Sequence, residues 1–156
     1  MNGEPNMQKV TFYSFADVVQ SIDKIVKRID DYKYDYVVGI VRGGLVPATM
    51  LSHRLGIPLH TMKWSTRDHQ EKEHVGWIAE DVKAGKNILI VDDLIDSGLC
   101  IQEIVADWGI NRHDVDIAVI SQNIKAPVIA NHYDTTFDSD DNIWYVWPWE
   151  VYKPVA

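Results

Sequence analysis

The chain has very little cysteine and no long apolar run. Cys100 is the single cysteine among 156 residues, so no intramolecular disulfide can form and nothing favours an oxidising compartment. No stretch approaches the roughly 18 consecutive apolar residues of a membrane span. Residues 1–8 are polar and do not form the apolar centre of a signal peptide. We therefore expect a cytoplasmic protein with no membrane partner.

Positive charge is also scarce. The sequence has 15 Lys and Arg against 23 Asp and Glu, which gives a net charge of −8 and a pI of about 5.1. Proteins that bind a nucleic-acid backbone usually carry a basic patch or stripe. The short basic clusters here, such as Lys24, Lys27 and Arg28, are more typical of a solvated helix face. We predict no nucleic-acid partner, although backbone amides and Mg²⁺ can still bind phosphates in an acidic protein.

Strand patterns alternate with helix patterns along the whole chain. With 156 residues, no internal repeat and no linker, the chain is predicted to form one domain over residues 1–156. The alternation predicts a parallel sheet with helices on both faces. The predicted strands are residues 10–13, 36–41, 58–64, 87–91 and 115–120, and the predicted helices are residues 15–31, 47–55 and 98–108.

The most informative stretch is residues 88–100, where an apolar strand runs into an acidic turn. Residues 88–91 are apolar, and Asp92 and Asp93 follow directly. After two more apolar residues, Asp96-Ser97-Gly98 opens a helix. Free N–H groups at a helix start, with a hydroxyl, suit a phosphate, and two carboxylates suit sugar hydroxyls or Mg²⁺. A phosphate, a diol and a metal together describe a phosphorylated ribose.

This stretch resembles the 5-phosphoribosyl 1-diphosphate (PRPP) signature of the type I phosphoribosyltransferases. That signature is an apolar strand, two acids, two apolar residues and Asp-Thr-Gly-x-Thr. Ser97 stands for the first Thr, and Cys100 departs from the second. Because a thiol is a weaker donor than a hydroxyl, backbone amides would do more of the phosphate binding. Alternatives are the first strand of a receiver domain, for which too few residues follow Asp93, and an ordinary solvated acidic turn.

A second turn suited to phosphate lies in residues 39–48. Arg42, Gly43 and Gly44 follow a predicted strand and precede a helix, and glycines let backbone N–H groups approach an anion closely. The run resembles the pyrophosphate loop of the bacterial xanthine-guanine phosphoribosyltransferases, where one non-proline peptide is often cis. Alone, this run could be a plain strand–turn–helix corner. Two such turns at strand ends indicate one ligand site, because ligands of open α/β sheets bind at that edge.

The third group is Lys125 with the aromatic run 143–150. The resemblance implies that Lys125 donates to the exocyclic oxygen of a 6-oxopurine and that Trp144 stacks on the base. The backbone around Tyr145 would read the base edge. Stacking on an indole buries area at little entropic cost. Without the resemblance, Lys125 reads as a solvated loop lysine, and Val146 stands where the bacterial relatives carry an acid.

The resemblance also implies a fold and a reaction. The fold is α/β, a parallel twisted sheet flanked by helices with a small hood from the N- and C-terminal segments. Residues 123–156 would form the base-binding hood region, and residues 65–76 a mobile lid that excludes water. The reaction converts PRPP and guanine, xanthine or hypoxanthine into the nucleoside 5′-monophosphate and pyrophosphate. The implied cofactor is Mg²⁺, and the implied assembly is a homodimer or homotetramer.

Two alternatives stay open: a non-catalytic regulator of the same fold that senses PRPP or nucleotide, and a phosphoribosyltransferase for another base, such as a pyrimidine or adenine.

The implied roles of the site residues fall into groups by ligand. The catalytic residues are Asp92, Asp93 and Asp96, of which Asp92 and Asp93 also bind the metal; the 5′-phosphate group is Asp96, Ser97, Gly98, Leu99 and Cys100; the pyrophosphate group is Arg42, Gly43, Gly44, Ser65 and Thr66; and the purine group is Lys125, Trp144 and Tyr145.

Overall fold

The computed structural model describes residues 7–29, 33–66 and 71–154. The polar residues 1–6, the end of the predicted first helix at 30–31, and residues 67–70 of the predicted loop lie outside the described residues. The strands are β1 (Lys9–Phe12), β2 (Tyr36–Val41), β3 (Leu59–Lys63), β4 (Ile88–Val91), β5 (Leu94–Ile95), β6 (Asp116–Asn123), β7 (His132–Phe137) and β8 (Ile143–Val146). The helices are α1 (Phe15–Arg28), α2 (Leu45–Leu55), α3 (Gly76–Lys83) and α4 (Leu99–Trp108), with 3₁₀ turns at Arg112–Asp114 and Ser139–Asp141.

A parallel sheet of six strands dominates the described part of the chain. Strand β2 lies between β3 and β4, and β4 pairs with the first half of β6. Strand β5 pairs with the second half of β6 on the edge that β4 uses, while β7 pairs with the opposite edge. The regular pairing is interrupted between β4 and β5, at Asp92 and Asp93, although both residues keep backbone hydrogen bonds to β6.

Helices cover both faces of the sheet, which explains why the central strands are apolar on both sides. One core layer joins Ile40 and Ile90 to α3 and α4. The other joins Val37 and Leu89 to α1 and α2. Every residue of β4 is buried, as expected for a central parallel strand. The predicted α/β sheet flanked by helices is confirmed.

The two ends of the described chain meet in a second, two-stranded sheet. Strand β1 pairs with β8 in parallel, from Lys9 opposite Ile143 to Phe12 opposite Val146. This sheet forms the small hood of the predicted fold. The assignment of residues 1–156 to one domain, the base-binding role of 123–156 and the lid role of 65–76 stay predictions.

The helix boundaries follow local capping chemistry. Ser14 caps α1 in a capping box with Asp17, and the helix ends at Arg28 rather than at the predicted residue 31. Helix α2 begins at Leu45, two residues before the predicted Pro47, and ends at Gly56, whose φ of 66° suits a glycine cap. Among the described residues, no helix is both long enough and apolar enough to cross a membrane.

Candidate active site

The two predicted phosphate turns meet at the carboxyl edge of the sheet. Together they line a cleft of about 930 Å³. The cleft contacts most of the predicted site residues, but Gly44 and Lys125 do not line it. The predicted residues that line it are Arg42, Gly43, Ser65, Thr66, Asp92, Asp93, Asp96, Ser97, Gly98, Leu99, Cys100, Trp144 and Tyr145.

Glycines allow the two turns to approach each other. At Gly44 an added Cβ would overlap the carbonyl oxygen of Val91 and lie 2.7 Å from that of Ile40. At Gly43 it would overlap the Asp93 carboxylate, with Cγ only 2.8 Å away. Gly44 thus packs behind the cleft, while Gly43 faces the acidic pair. The Val41–Arg42 peptide is cis, as the resemblance implied for this loop.

Backbone hydrogen bonds fix the acidic turn between β4 and β5. The Asp93 N–H donates to Asp92 Oδ1 at 2.8 Å, and the Leu94 N–H donates to Asp93 Oδ1 at 2.7 Å. The Asp93 carbonyl accepts from the N–H of Ile120 on β6 at 2.8 Å. These bonds hold two adjacent carboxylates at the floor of the cleft.

The electrostatics of this pair suit a cation. Burial raises the pKa of the Asp92 carboxyl well above its ordinary value, and the charge of Asp93 raises it further. Among the described residues, no group of three or more His, Cys, Asp or Glu side chains could hold a metal ion. Mg²⁺ needs no such group, because it commonly binds one or two carboxylates and takes its other ligands from water and substrate oxygens. Asp92 and Asp93 therefore fit the implied Mg²⁺.

The first turn of α4 follows the acidic turn and presents its backbone amides to the cleft. Gly98 starts the helix with a φ of 80°, and a side chain there would also crowd Val128. The Leu99 N–H donates to Ser97 Oγ at 3.3 Å. Burial, and next the charge of Asp92, raises the pKa of the Cys100 thiol. The thiol therefore stays protonated and can act only as a weak donor.

Aromatic side chains form part of the wall of the cleft. Trp144 is 43% exposed and lines the cleft. Trp147, by contrast, is 2% exposed and stacks between Tyr145 and Trp149. Trp147 is therefore a core residue. Trp144 is left as an open indole surface beside the cleft.

Lys125 is placed apart from the cleft lining. Its ammonium pairs with the carboxylate of Asp140 and lies 3.4 Å from that of Asp138. The hydrogen bond with Asp140, with a smaller contribution from Asp138, raises the pKa of Lys125. The ammonium is charged and already engaged, so contact with a base in the cleft would require it to exchange these partners.

The described part of the predicted loop 65–76 is paired at its base like a hairpin. The Ser65 N–H donates to the Glu71 carbonyl, and the Glu73 N–H to the Lys63 carbonyl, both at 2.9 Å. The segment is also tied to α4, since Glu103 accepts from Lys72 Nζ at 2.7 Å and from the Trp64 indole at 3.2 Å. Ser65 and Thr66 are thereby held at the mouth of the cleft.

Two residues at or beside the cleft carried no predicted role. Glu150 ends the aromatic run 143–150 and lines the cleft. Burial raises the pKa of its carboxyl, the Asp93 charge adds to this, and Arg42 opposes it. Asn123 lies at the end of β6, two residues before Lys125, and its side chain is buried behind the cleft. A position near a recognised motif was the only signal in the sequence for either residue.

A parallel sheet whose carboxyl edge joins a glycine turn, an acidic turn and a helix N-terminus is an α/β arrangement that suits a phosphorylated sugar or nucleotide. The family model described as "Phosphoribosyl transferase domain" matches residues 13–154. The chain belongs to this family. The predicted recognition is confirmed.

Individual relatives differ in the base that their names specify. A xanthine-guanine phosphoribosyltransferase from Cereibacter sphaeroides is 33% identical over 127 residues, covering 78% of this chain and 72% of the relative. An orotate phosphoribosyltransferase from Bartonella henselae is 34% identical over 104 residues, covering 64% of this chain. The chain spans only half the length of that orotate relative.

A solved structure supports the fold over nearly the whole chain. A purine phosphoribosyltransferase from Pyrococcus horikoshii superposes with a TM-score of 0.74 and 24% identity. The match covers 96% of this chain and 99% of the other.

Proposed function

We propose that this protein is a 6-oxopurine phosphoribosyltransferase, which converts PRPP and guanine, xanthine or hypoxanthine into the nucleoside 5′-monophosphate and pyrophosphate. The observation that carries the proposal is the meeting of two turns in one cleft. The Arg42-Gly43 turn faces the Asp92-Asp93 pair, and the N-terminus of α4 lies beside them. Pyrophosphate, ribose and 5′-phosphate each find a matching group there.

The reaction breaks the bond between ribose C1 and pyrophosphate as a purine nitrogen bonds to C1. Positive charge develops on the ribose ring and negative charge on the leaving pyrophosphate, so fixed electrostatics are the main catalytic resource. The carboxylates of Asp92 and Asp93 hold the ribose hydroxyls and favour the cationic ring. Asp96 lies in the same cleft and takes the proton that the purine loses.

The remaining polar groups hold phosphates. Backbone amides of residues 97–100 wrap the 5′-phosphate at the start of α4, where the helix dipole favours an anion. Arg42 and the Gly43 backbone hold the pyrophosphate, with Ser65 and Thr66 at the mouth of the cleft. Mg²⁺ held by Asp92 and Asp93 would neutralise charge on the pyrophosphate.

The choice of a 6-oxopurine rests on Trp144 and on the relatives. The exposed indole of Trp144 offers a stacking surface for a planar base. The xanthine-guanine relative, which matches most of this chain, supports a purine. Lys125 would supply the donor to the exocyclic oxygen once it leaves Asp138 and Asp140.

A second candidate is a phosphoribosyltransferase for another base. Two observations favour it: orotate phosphoribosyltransferases are among the relatives, and Lys125 is paired with two carboxylates rather than directed into the cleft. The non-catalytic regulator is the third possibility, which the intact acidic pair disfavours.

A pyrophosphate-release assay distinguishes these functions. The protein is incubated with PRPP, Mg²⁺ and, in turn, guanine, hypoxanthine, xanthine, adenine, uracil and orotate. The double variant Asp92→Asn with Asp93→Asn serves as the control. We expect turnover with at least one 6-oxopurine, and loss of that turnover in the double variant.

The other outcomes are equally informative. Turnover only with adenine, uracil or orotate would refute the assigned base and the roles of Lys125 and Trp144. Binding of a nucleoside monophosphate without turnover of any base would refute the enzyme assignment and favour a regulator.

A further inference from the structure

We propose that Asn123 is a positioning residue, which sets the geometry of the base-binding half of the cleft without touching the substrates; this rests on the function proposed above. Asn123 is the last residue of β6 and is 4% exposed. It does not line the cleft, but its side chain is bonded to three segments, of which the acidic turn and the 3₁₀ turn reach the cleft. A buried amide with this arrangement is a structural link between them.

The side chain of Asn123 makes three hydrogen bonds to backbone groups. Its Nδ2 donates to the Asp96 carbonyl at 2.9 Å. Its Oδ1 accepts from the Lys125 N–H at 3.1 Å and from the Ser139 N–H at 3.2 Å. One amide therefore ties the acidic turn to the Lys125 loop and to the 3₁₀ turn at Ser139–Asp141.

All three segments belong to the base half of the site. Asp96 and Ser139 line the cleft, and Asp96 is the residue placed to take the purine proton. The 3₁₀ turn also carries Asp140, which pairs with the Lys125 ammonium. Asn123 therefore fixes the distance between the proton acceptor, the lysine loop and the turn that leads to Trp144.

An amide can make this set of contacts at any pH. An amide donates through nitrogen and accepts through oxygen at the same time, whereas an ionised carboxyl only accepts and an alkyl group does neither. Losing the link would leave backbone groups in the protein interior without partners, and they would shift to find new ones. The shift would separate Asp96 from the Lys125 loop.

The neighbouring residue provides a matched control. Gln122 is 1% exposed and also has a side-chain amide with three hydrogen bonds. These go to the carbonyls of Asn123 and Val128 and to the N–H of Ala130, none of which lines the cleft. Replacing Gln122 disturbs the same part of the core but leaves the acidic turn, the Lys125 loop and the 3₁₀ turn linked through Asn123.

The test compares matched substitutions at the two positions. Asn123→Leu and Asn123→Asp are measured beside Gln122→Leu and Gln122→Glu, with wild type as reference. For each protein, Tm, kcat, the KM for the preferred base and the KM for PRPP are determined. We expect the Asn123 variants to raise the base KM by at least about tenfold over their Gln122 counterparts. The KM for PRPP should change less than the base KM.

The pH profile of Asn123→Asp separates positioning from loss of stability, and it remains informative where Asn123→Leu does not fold. When protonated, the introduced carboxyl can donate to the Asp96 carbonyl; when ionised, it cannot. We expect turnover relative to wild type to fall as the pH rises. The charged side chains that face this position, those of Asp96, Lys125, Asp138 and Asp140, are present in both proteins, so the ratio at each pH reports the introduced group.

The two proposals fail in different ways. Equal base KM values for the Asn123 and Gln122 variants, with an active wild type, would overturn the positioning role alone. A pH profile of Asn123→Asp parallel to that of wild type would do the same. A wild-type protein that neither binds nor converts any base would refute the proposed function and the positioning role with it.

Discussion

Alanine at Gly44 and, separately, at Gly43 tests whether the close approach of two turns builds the cleft. A Cβ at Gly44 would overlap the Val91 carbonyl oxygen and crowd that of Ile40. Both are backbone atoms at the ends of adjacent strands, so neither can rotate away. A Cβ at Gly43 would overlap the Asp93 carboxylate, which can rotate. The two variants should therefore fail in different ways.

The expected magnitudes follow from this difference. Gly44 has φ of −84° and ψ of −7°, which alanine adopts freely, so any destabilisation comes from the overlap. Overpacking costs about 1–3 kcal/mol, which at this size is a fall in Tm of roughly 3–10 °C. For Gly43→Ala we expect a cost of about 0.5–1.5 kcal/mol, because the displaced carboxylate weakens its hydrogen bond from the Leu94 N–H. Displacing the Asp93 carboxylate should nevertheless lower turnover by about 100-fold.

The assay combines thermal unfolding, followed by circular dichroism, with pyrophosphate release. Gly76→Ala is the control, because a Cβ there meets no atom within 4 Å and Gly76 begins α3. We expect that variant to keep the wild-type Tm or gain slightly, since alanine favours a helix. Its turnover should match wild type.

Particular results would refute this reasoning. A Gly44→Ala protein with wild-type Tm would show that β2 and β4 do not bring the two turns into backbone contact. A Gly43→Ala protein with wild-type turnover would show that the position of the Asp93 carboxylate does not matter. A large fall in Tm for Gly76→Ala would mean that the alanine effects do not report these overlaps.

Three further substitutions test the charges and donors of the cleft. Burial and a charged neighbour raise the pKa of Asp92, so above about pH 4 the folded state keeps a proton that the unfolded state has released. The free energy of unfolding therefore falls as the pH rises from about 4 to the raised pKa. Asp92→Asn should therefore raise Tm at pH 7 while abolishing turnover. The control Glu80→Gln, at an exposed position, should change neither Tm nor turnover. An unchanged Tm for Asp92→Asn would contradict the argument. Cys100→Thr should lower the KM for PRPP by about 3- to 10-fold, because a hydroxyl is a stronger hydrogen-bond donor than a thiol. If Cys100→Val, which has no donor, lowered the KM as much as Cys100→Thr, the donor would not be the cause. Glu103→Gln removes the ion pair with Lys72 and should lower Tm by a few degrees at most. The difference in Tm from wild type should shrink in high salt and in acid, where the carboxylate protonates. A difference that persists under both conditions would exclude an ion pair as its cause.

Much of the fold could be predicted because its central strands are apolar on both faces. The predicted strand 36–41 matches β2 residue for residue, and the run at 88–91 is β4. Three of the missed elements lacked such a signal. Strand β7 contains polar residues and is mostly half-buried, β5 has only two residues, and α3 is an eight-residue helix next to a polar loop.

The site could be predicted where its residues directly follow strands. The ends of parallel strands meet at one edge, so Arg42 and the Asp92-Asp93 pair had to be neighbours once β2 and β4 were adjacent. Gly44 was assigned to the correct turn but lies behind the cleft, because its contact with Val91 depends on how closely two strands approach. Local sequence patterns do not record that distance.

The base-binding half is less predictable for a physical reason. Lys125 is paired with Asp138 and Asp140, which follow β7 in the chain. These two carboxylates reach Lys125 only because β7 pairs with β6. In the proposed function, a base must therefore compete with two carboxylates for the ammonium, and its success depends on how strongly its exocyclic oxygen accepts. Phosphate and ribose would be held by backbone amides and by Asp92 and Asp93, whichever base is used. The base preference would then depend on this local competition, which the phosphate turns do not determine.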